Sequence, residues 1–157
     1  MKIVLNTSPV IFLGKINCLH LLENCVDSVF VPQNVVQELG DESLPPFINI
    51  KSLSMIGTAY VKGAIARLHE GELSVIVLAQ ELNADYVILD DLLARQKAQR
   101  LGLNVMGTLG LLLLMEKRQL LSNSEVWQLI AELTQRHGMY LSANILQQLR
   151  ATLFISS

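Results

Sequence analysis

A chain of 157 residues that is 51% hydrophobic, 17% charged and 5% aromatic, with a formal net charge of −2 and a mean hydropathy of +0.41, has the composition of one compact globular domain. Low hydrophobicity joined to high net charge keeps a chain unfolded, and this composition is the reverse, which excludes a disordered tail or linker. The longest apolar block, Leu109–Met115, falls far short of the roughly 20 residues of a membrane span, and a sequence pI of about 5.9 leaves nucleic acid only local contacts rather than a global electrostatic pull.

Along the chain, Lys2–Leu5 reads as a first strand, its apolar run too short for the core of a secretory signal. Ser8 then reads as an N-cap and Pro9 as the first helical position, where a missing N–H costs nothing. The periodicity continues this helix through Ile11, Leu13, Ile16, Leu19 and Leu22. Cys18 and Cys25 fall on one face of it and read as two buried free thiols in a reducing cytosol. Ser28–Val31 is a second strand. Pro32 opens a shorter helix carrying Val35, Val36 and Leu39, which Gly40 ends in a left-handed cap. Asp41–Pro46 is the clearest loop; Ile48 and Ile50 beyond it alternate like a short strand, and Tyr60–Leu68 has a helical pattern.

Gly71-Glu72 precedes a helix with Val75, Ile76, Ala79 and Leu82. A strand at Tyr86–Leu89 leads to Asp91, which caps a helix bearing Leu92, Leu93 and Ala98 that ends near Gly102. After a last strand at Asn104–Met106, Gly107-Thr108 starts a very apolar helix over Leu109–Lys117, and two more helices follow at Ser124–Gln135 and Ser142–Leu153. The strands lack strict alternation, as strands buried on both faces do, and they alternate with helices. The expectation is an α/β domain with a parallel sheet, right-handed crossovers and helices on both faces. Residues 1–157 read as a single domain, with 122–157 a helical extension.

In such a sheet ligands bind outside the carboxyl ends of the strands, which points to Asn6, to Asp90 with Asp91, and to Gly107 with Thr108. Glu72 shares a helical stripe with Ile76 and Ala79, and Glu38 borders the buried side of its own helix through Val35. Inward carboxylates cost free energy unless paired or metal-bound. A pocket of converging oxygens without Cys or His suits Mg²⁺ or Mn²⁺ and not zinc. Each residue also has a plainer role: Asp91 as a cap, Glu72 at a helix dipole, Glu38 as a solvated acid, Asn6 in a turn.

Asn6-Thr7-Ser8-Pro9, Val35-Val36-Gln37-Glu38-Leu39, the run from Gly71 to Ala79, and Leu89-Asp90-Asp91 with Arg95 together resemble the PIN-domain nuclease pattern. The segment from Gly102 to Gly110 resembles the variant found in a group of uncharacterised prokaryotic PIN-like proteins, and the resemblance runs from Met1 to about Leu121. It implies a three-layer α/β/α sandwich around a central parallel sheet and Mg²⁺- or Mn²⁺-dependent cleavage of RNA, in the cytoplasm. It also implies a homodimer or higher homo-oligomer and, in many relatives, the toxin half of a toxin–antitoxin pair with an antitoxin protein as partner. Carried over by position, the acidic quartet is Asn6, Glu38, Glu72 and Asp91, with Asp90 a neighbour able to substitute for Asp91, and Thr7 and Ser8 flanking the metal-bound water.

Lys15, Arg95, Lys97 and Arg100 are candidate phosphate-binding cations, with Thr108 a further substrate contact. The family's first acid is usually Asp, whereas Asn6 offers a neutral carbonyl oxygen; its third is usually Asp and here is the longer Glu72. Asn6 therefore supports an alternative, a catalytically degenerate domain that binds RNA or a partner protein without cleavage. A nucleotide- or flavin-binding module ranks below both, because Asn6-Thr7-Ser8-Pro9 is not a glycine-rich phosphate loop. The apolar excess of Leu109–Met115 and of the last two helices points to a homo-oligomer interface or to a fully internal helix.

Overall fold

All four expected strands, and the short alternating run after the loop, enter a single sheet. The computed structural model describes residues 1–63 and 70–155. In it Lys2–Leu5 (β1), Ser28–Pro32 (β2), Ile48–Lys51 (β3), Tyr86–Ile88 (β4) and Val105–Met106 (β5) are ordered β3-β2-β1-β4-β5. Every neighbouring pair is parallel. The central strand β1 has Ile3, Val4 and Leu5 wholly buried, which is why it reads as a continuous apolar run rather than as alternation.

The helices are Thr7–Lys15 (α1), Leu22–Cys25 (α2), Gln33–Leu39 (α3), Met55–Gly63 (α4), Glu70–Glu81 (α5), Leu92–Arg100 (α6), Thr108–Lys117 (α7), Asn123–Arg136 (α8) and Ala143–Ile155 (α9). One layer is built on α5, which lies on β1, β2 and β4 with α6 beside it; the other contains α1, α7 and, behind α7, α8. The result is an α/β/α sandwich. Nearly every side chain of α5 from Leu73 to Ala79 is buried, as expected of a helix enclosed between a sheet and other helices.

Several local expectations change. The first helix begins at Thr7 with Asn6 as its N-cap residue, not Ser8. Pro9 is then the third helical residue, still within the turn whose N–H groups have no intrahelical partner, so its position remains free of cost. Nor does the helix run on to Leu22. Asn17 adopts φ 56°, and Asn17 N–H bonds Gly14 O at 3.2 Å while Cys18 N–H bonds Leu13 O at 2.9 Å. This is a Schellman ending, which asparagine tolerates better than most residues. A 3₁₀ turn at Leu19–Leu21 leads into the separate α2.

The apolar spacing was nonetheless meaningful, since Leu13, Ile16, Cys18, Leu22 and Cys25 are all buried. The two cysteines do not share a helical face, since Cys18 precedes the 3₁₀ turn and Cys25 ends α2, and both are free thiols. Gly40 stops α3 with φ 65° but ψ −122°, a region open to glycine and outside the left-handed helical basin. The helical pattern expected over Tyr60–Leu68 is met as far as Gly63; its remainder lies outside the described residues.

The apolar run of α7 is used inside the chain. Leu111, Leu112 and Met115 have no exposed surface, and α1, α2 and α8 pack against this helix. Ser122 and Glu125 start α8 with a reciprocal capping box, and Val126, Ile130 and Leu133 of α8 join Leu149 and Leu153 of α9 in the same core as β1. Among the described residues, no helix is long and apolar enough to cross a membrane.

Two outcomes follow from this packing. Leu111→Ala leaves a cavity at a site with no exposed surface and is expected to cost about 2–5 kcal/mol, measured by urea unfolding. Burial pushes the Cys18 thiol up to about 11, with the carboxylates of Glu125 and Glu132 adding to the effect. The thiolate is the nucleophile, so iodoacetamide at pH 8 is expected to leave Cys18 unmodified in the native protein and to label it after unfolding, read by mass spectrometry.

Candidate active site

The strand order reverses direction between β1 and β4, and the chain leaves these two neighbours towards opposite sides of the sheet. A crevice opens at their carboxyl ends. Asn6 follows β1 directly, and its backbone N–H continues the ladder onto Ile88 O at 3.1 Å. Its side chain is buried, and Oδ1 has no hydrogen-bond partner among the described residues. An unpaired buried carbonyl costs on the order of 1–3 kcal/mol, and among the described residues this is the buried side-chain atom left without a partner.

Two rims rise around it. On the first, Thr7 Oγ1 donates to Glu38 Oε2 at 2.9 Å, and the Glu38 carboxylate lies against Gly71, where any β-carbon would collide with it. Glu38 therefore rests against Gly71, the residue before Glu72, through the end of a flexible, exposed side chain. On the second rim, Asp90 accepts from the Thr108 backbone N–H at 2.8 Å through Oδ1 and from Thr108 Oγ1 at 2.7 Å through Oδ2. Both carboxylate oxygens are engaged, and they hold the first residue of α7 to the end of β4.

Asp91 caps α6 as expected, its Oδ2 accepting from Ala94 N–H at 2.9 Å. A β-carbon on Gly107 would come within 2.9 Å of Arg95 Nη1 and 3.1 Å of Asp90 Oδ1. The guanidinium therefore lies over the glycine, next to the clamped aspartate.

Ser8, Glu72, Asp90, Asp91, Arg95 and Gly107 all line one cavity of about 860 Å³, within the usual size of a ligand site. Asn6, Thr7 and Glu38 are not among its lining residues, and Glu38, expected on the buried side of its helix, is exposed. The other expected cations are elsewhere. Lys15 is exposed at the far end of α1, about 12 Å along the axis from Thr7, and Lys97 and Arg100 belong to the last turn of α6. Of these four, Arg95 is the one that lines the cavity.

The acids ring the opening instead of converging. Among the described residues, no three His, Cys, Asp or Glu side chains lie close enough to share an ion. The donor set still fits a hard cation: it consists of oxygens, it includes an orphaned buried carbonyl, and Mg²⁺ takes only one or two carboxylates while keeping several waters. Sequence reasoning missed the far wall of the cavity, formed by Phe12 of α1, Leu109 and Leu113 of α7, and Met139, Tyr140, Leu141 and Ile145 around the start of α9. The sequence marked a helix over Ser142–Leu153 with an apolar excess; nothing local marked where it folds back.

The family model of the PIN domain matches residues 2–153. The chain belongs to the PIN-domain family. No curated protein matches it. The match takes in α8 and α9, past the point near Leu121 where the motif resemblance stops, so the helices that close the cavity are part of what the family shares. PIN domains generally have nuclease-type function and use divalent metals, and the family suggests RNA binding.

Thr108→Val removes one of the two donors to Asp90 while preserving shape. It is expected to lower stability by about 1–3 kcal/mol in urea unfolding, and Thr108→Ser, which keeps the hydroxyl, is expected to recover most of that loss.

Proposed function

We propose that this PIN-domain chain is a divalent-metal-dependent endoribonuclease, using Mg²⁺ or Mn²⁺, and that it acts in the cytoplasm as the toxin of a toxin–antitoxin pair. The observation that carries the reading is the buried, unpartnered Asn6 Oδ1 at the strand-order reversal, where Glu72 and Asp91 line a cavity. These three residues would hold the ion, with Glu38 beside them. When bound, the ion supplies Lewis-acid stabilisation of charge on the scissile phosphate and acidifies a water.

The chain's own groups supply the rest. Asp91 spends Oδ2 on its helix cap, which fixes the carboxylate so that it can accept a proton from the attacking water and orient it. Arg95, held over Gly107, offers a planar cation to a non-bridging phosphate oxygen. Ser8 offers a hydroxyl from the facing rim. Asp90, with both oxygens on Thr108, acts as a positioning residue that sets the height of α7 relative to β4.

A second reading, a domain that binds RNA or a partner protein without cutting, is favoured by the neutral amide of Asn6 where the family usually has an acid. A metal-titrated cleavage assay on single-stranded RNA separates the two. Wild type is expected to cleave, Asp91→Ala to lose at least about 100-fold in kcat/KM, and Asn6→Asp to bind Mn²⁺ more tightly in calorimetry by adding a charge to the site. Cleavage in Asn6→Asp alone establishes the second reading, and cleavage in no variant rejects the nuclease. Homo-oligomers are part of the same proposal. Ile50, Met55, Ile56 and Tyr60 on β3 and α4 are exposed apolar side chains at the sheet edge available to a second copy, and light scattering is expected to show a dimer.

A further inference from the structure

The cavity at the acidic rims extends well beyond them, and its far wall is apolar. Phe12, Leu109, Leu113, Leu141 and Ile145 line it together with Gln148. At its mouth stands Tyr140, which is 87% exposed. The exposure is imposed by the chain. Gly138 turns the backbone with φ 72°, Met139 is buried and its N–H bonds Leu133 O at 3.0 Å, and Leu141 packs against the core on the other side. Two anchored neighbours hold the tyrosine between them with its ring in solvent.

We infer that Tyr140 is a stacking platform for an unpaired nucleobase of single-stranded RNA, and that the apolar wall beneath it receives the base attached to the phosphate bound near Arg95 and Asp91. The inference rests on the nuclease reading for the position of that phosphate. Three properties of the site select this occupant. One continuous cavity joins the Arg95 cation to an apolar wall, which matches a ligand with an anionic end and a flat, weakly polar body. Aromatic rings bind bases of any sequence through their π-faces, whereas a base inside a duplex offers no open face. Gln148 supplies both a donor and an acceptor for a base edge from within the same wall.

The test is fluorescence anisotropy of the full chain with a labelled single-stranded RNA, with EDTA and again with Mn²⁺, followed by steady-state cleavage in Mn²⁺. Tyr140→Ala is expected to raise Kd and KM about 5- to 100-fold, with kcat changed far less. Tyr140→Phe and Tyr140→Trp are expected to bind like wild type, and Leu101→Ala, an exposed side chain outside the cavity, serves as the surface control. An RNA of the same length with abasic sugars is expected to bind wild type and Tyr140→Ala equally. Tyrosine-dependent binding without cleavage under any metal supports the platform and rejects the nuclease. Cleavage with Kd and KM unchanged in Tyr140→Ala overturns the platform and leaves the nuclease standing, and an absence of RNA binding by wild type overturns the platform.

Discussion

Because β1 pairs with β2 on one side and with β4 on the other, and all these pairings are parallel, the segments leaving β1 and β4 must diverge at the top of the sheet. The backbone bond from Asn6 to Ile88 extends the ladder by one more residue before they do. The polar groups of the site depend on this geometry. Asn6 is held low, between two strands with no exposed surface at their carboxyl ends, and Asp90 and Asp91 are delivered one step above it. Were β4 paired elsewhere, the same residues would decorate separate loops.

The two rims are kept at their spacing by different means. Glu38 rests its exposed carboxylate against Gly71 and accepts from Thr7, a contact made by the end of a flexible side chain. Asp90 and Thr108 are joined by two short hydrogen bonds, a matter of directed polar pairing inside a mostly apolar setting. The second is the stiffer device, since Thr108 is fully buried and its donors have no water to turn to. Arg95 inherits its place from this pairing, because the guanidinium rests on the glycine that leads into α7.

Much of the architecture was legible because the signals were local. Strands buried on both faces appear as short runs of Val, Ile and Leu, and the Asp91 cap and the start of α7 after Gly107 follow from side-chain chemistry within a few residues. What escaped was decided by backbone dihedrals or distant packing. Leu19 and Leu22 kept the helical rhythm of α1, and only the left-handed Asn17 divides it from α2; asparagine permits that conformation without demanding it. The candidate site was legible as a list of residues and less so as geometry. Position after a strand identified Asn6, Asp90 and Asp91, yet spacing could not foretell that Asp90 would turn both oxygens to Thr108, or that Lys15, Lys97 and Arg100 would lie outside the cavity that Arg95 lines.

The terminal helices carry one more implication. Val126, Ile130, Leu133, Leu149 and Leu153 are embedded in the same apolar interior as the central strand, and α8 packs on α7. A chain cut before Ser122 would present the flank of α7 to water and lose its lid in the same stroke. The segment bearing Tyr140 and the strand leading to Asn6 are thus tied to one shared apolar interior.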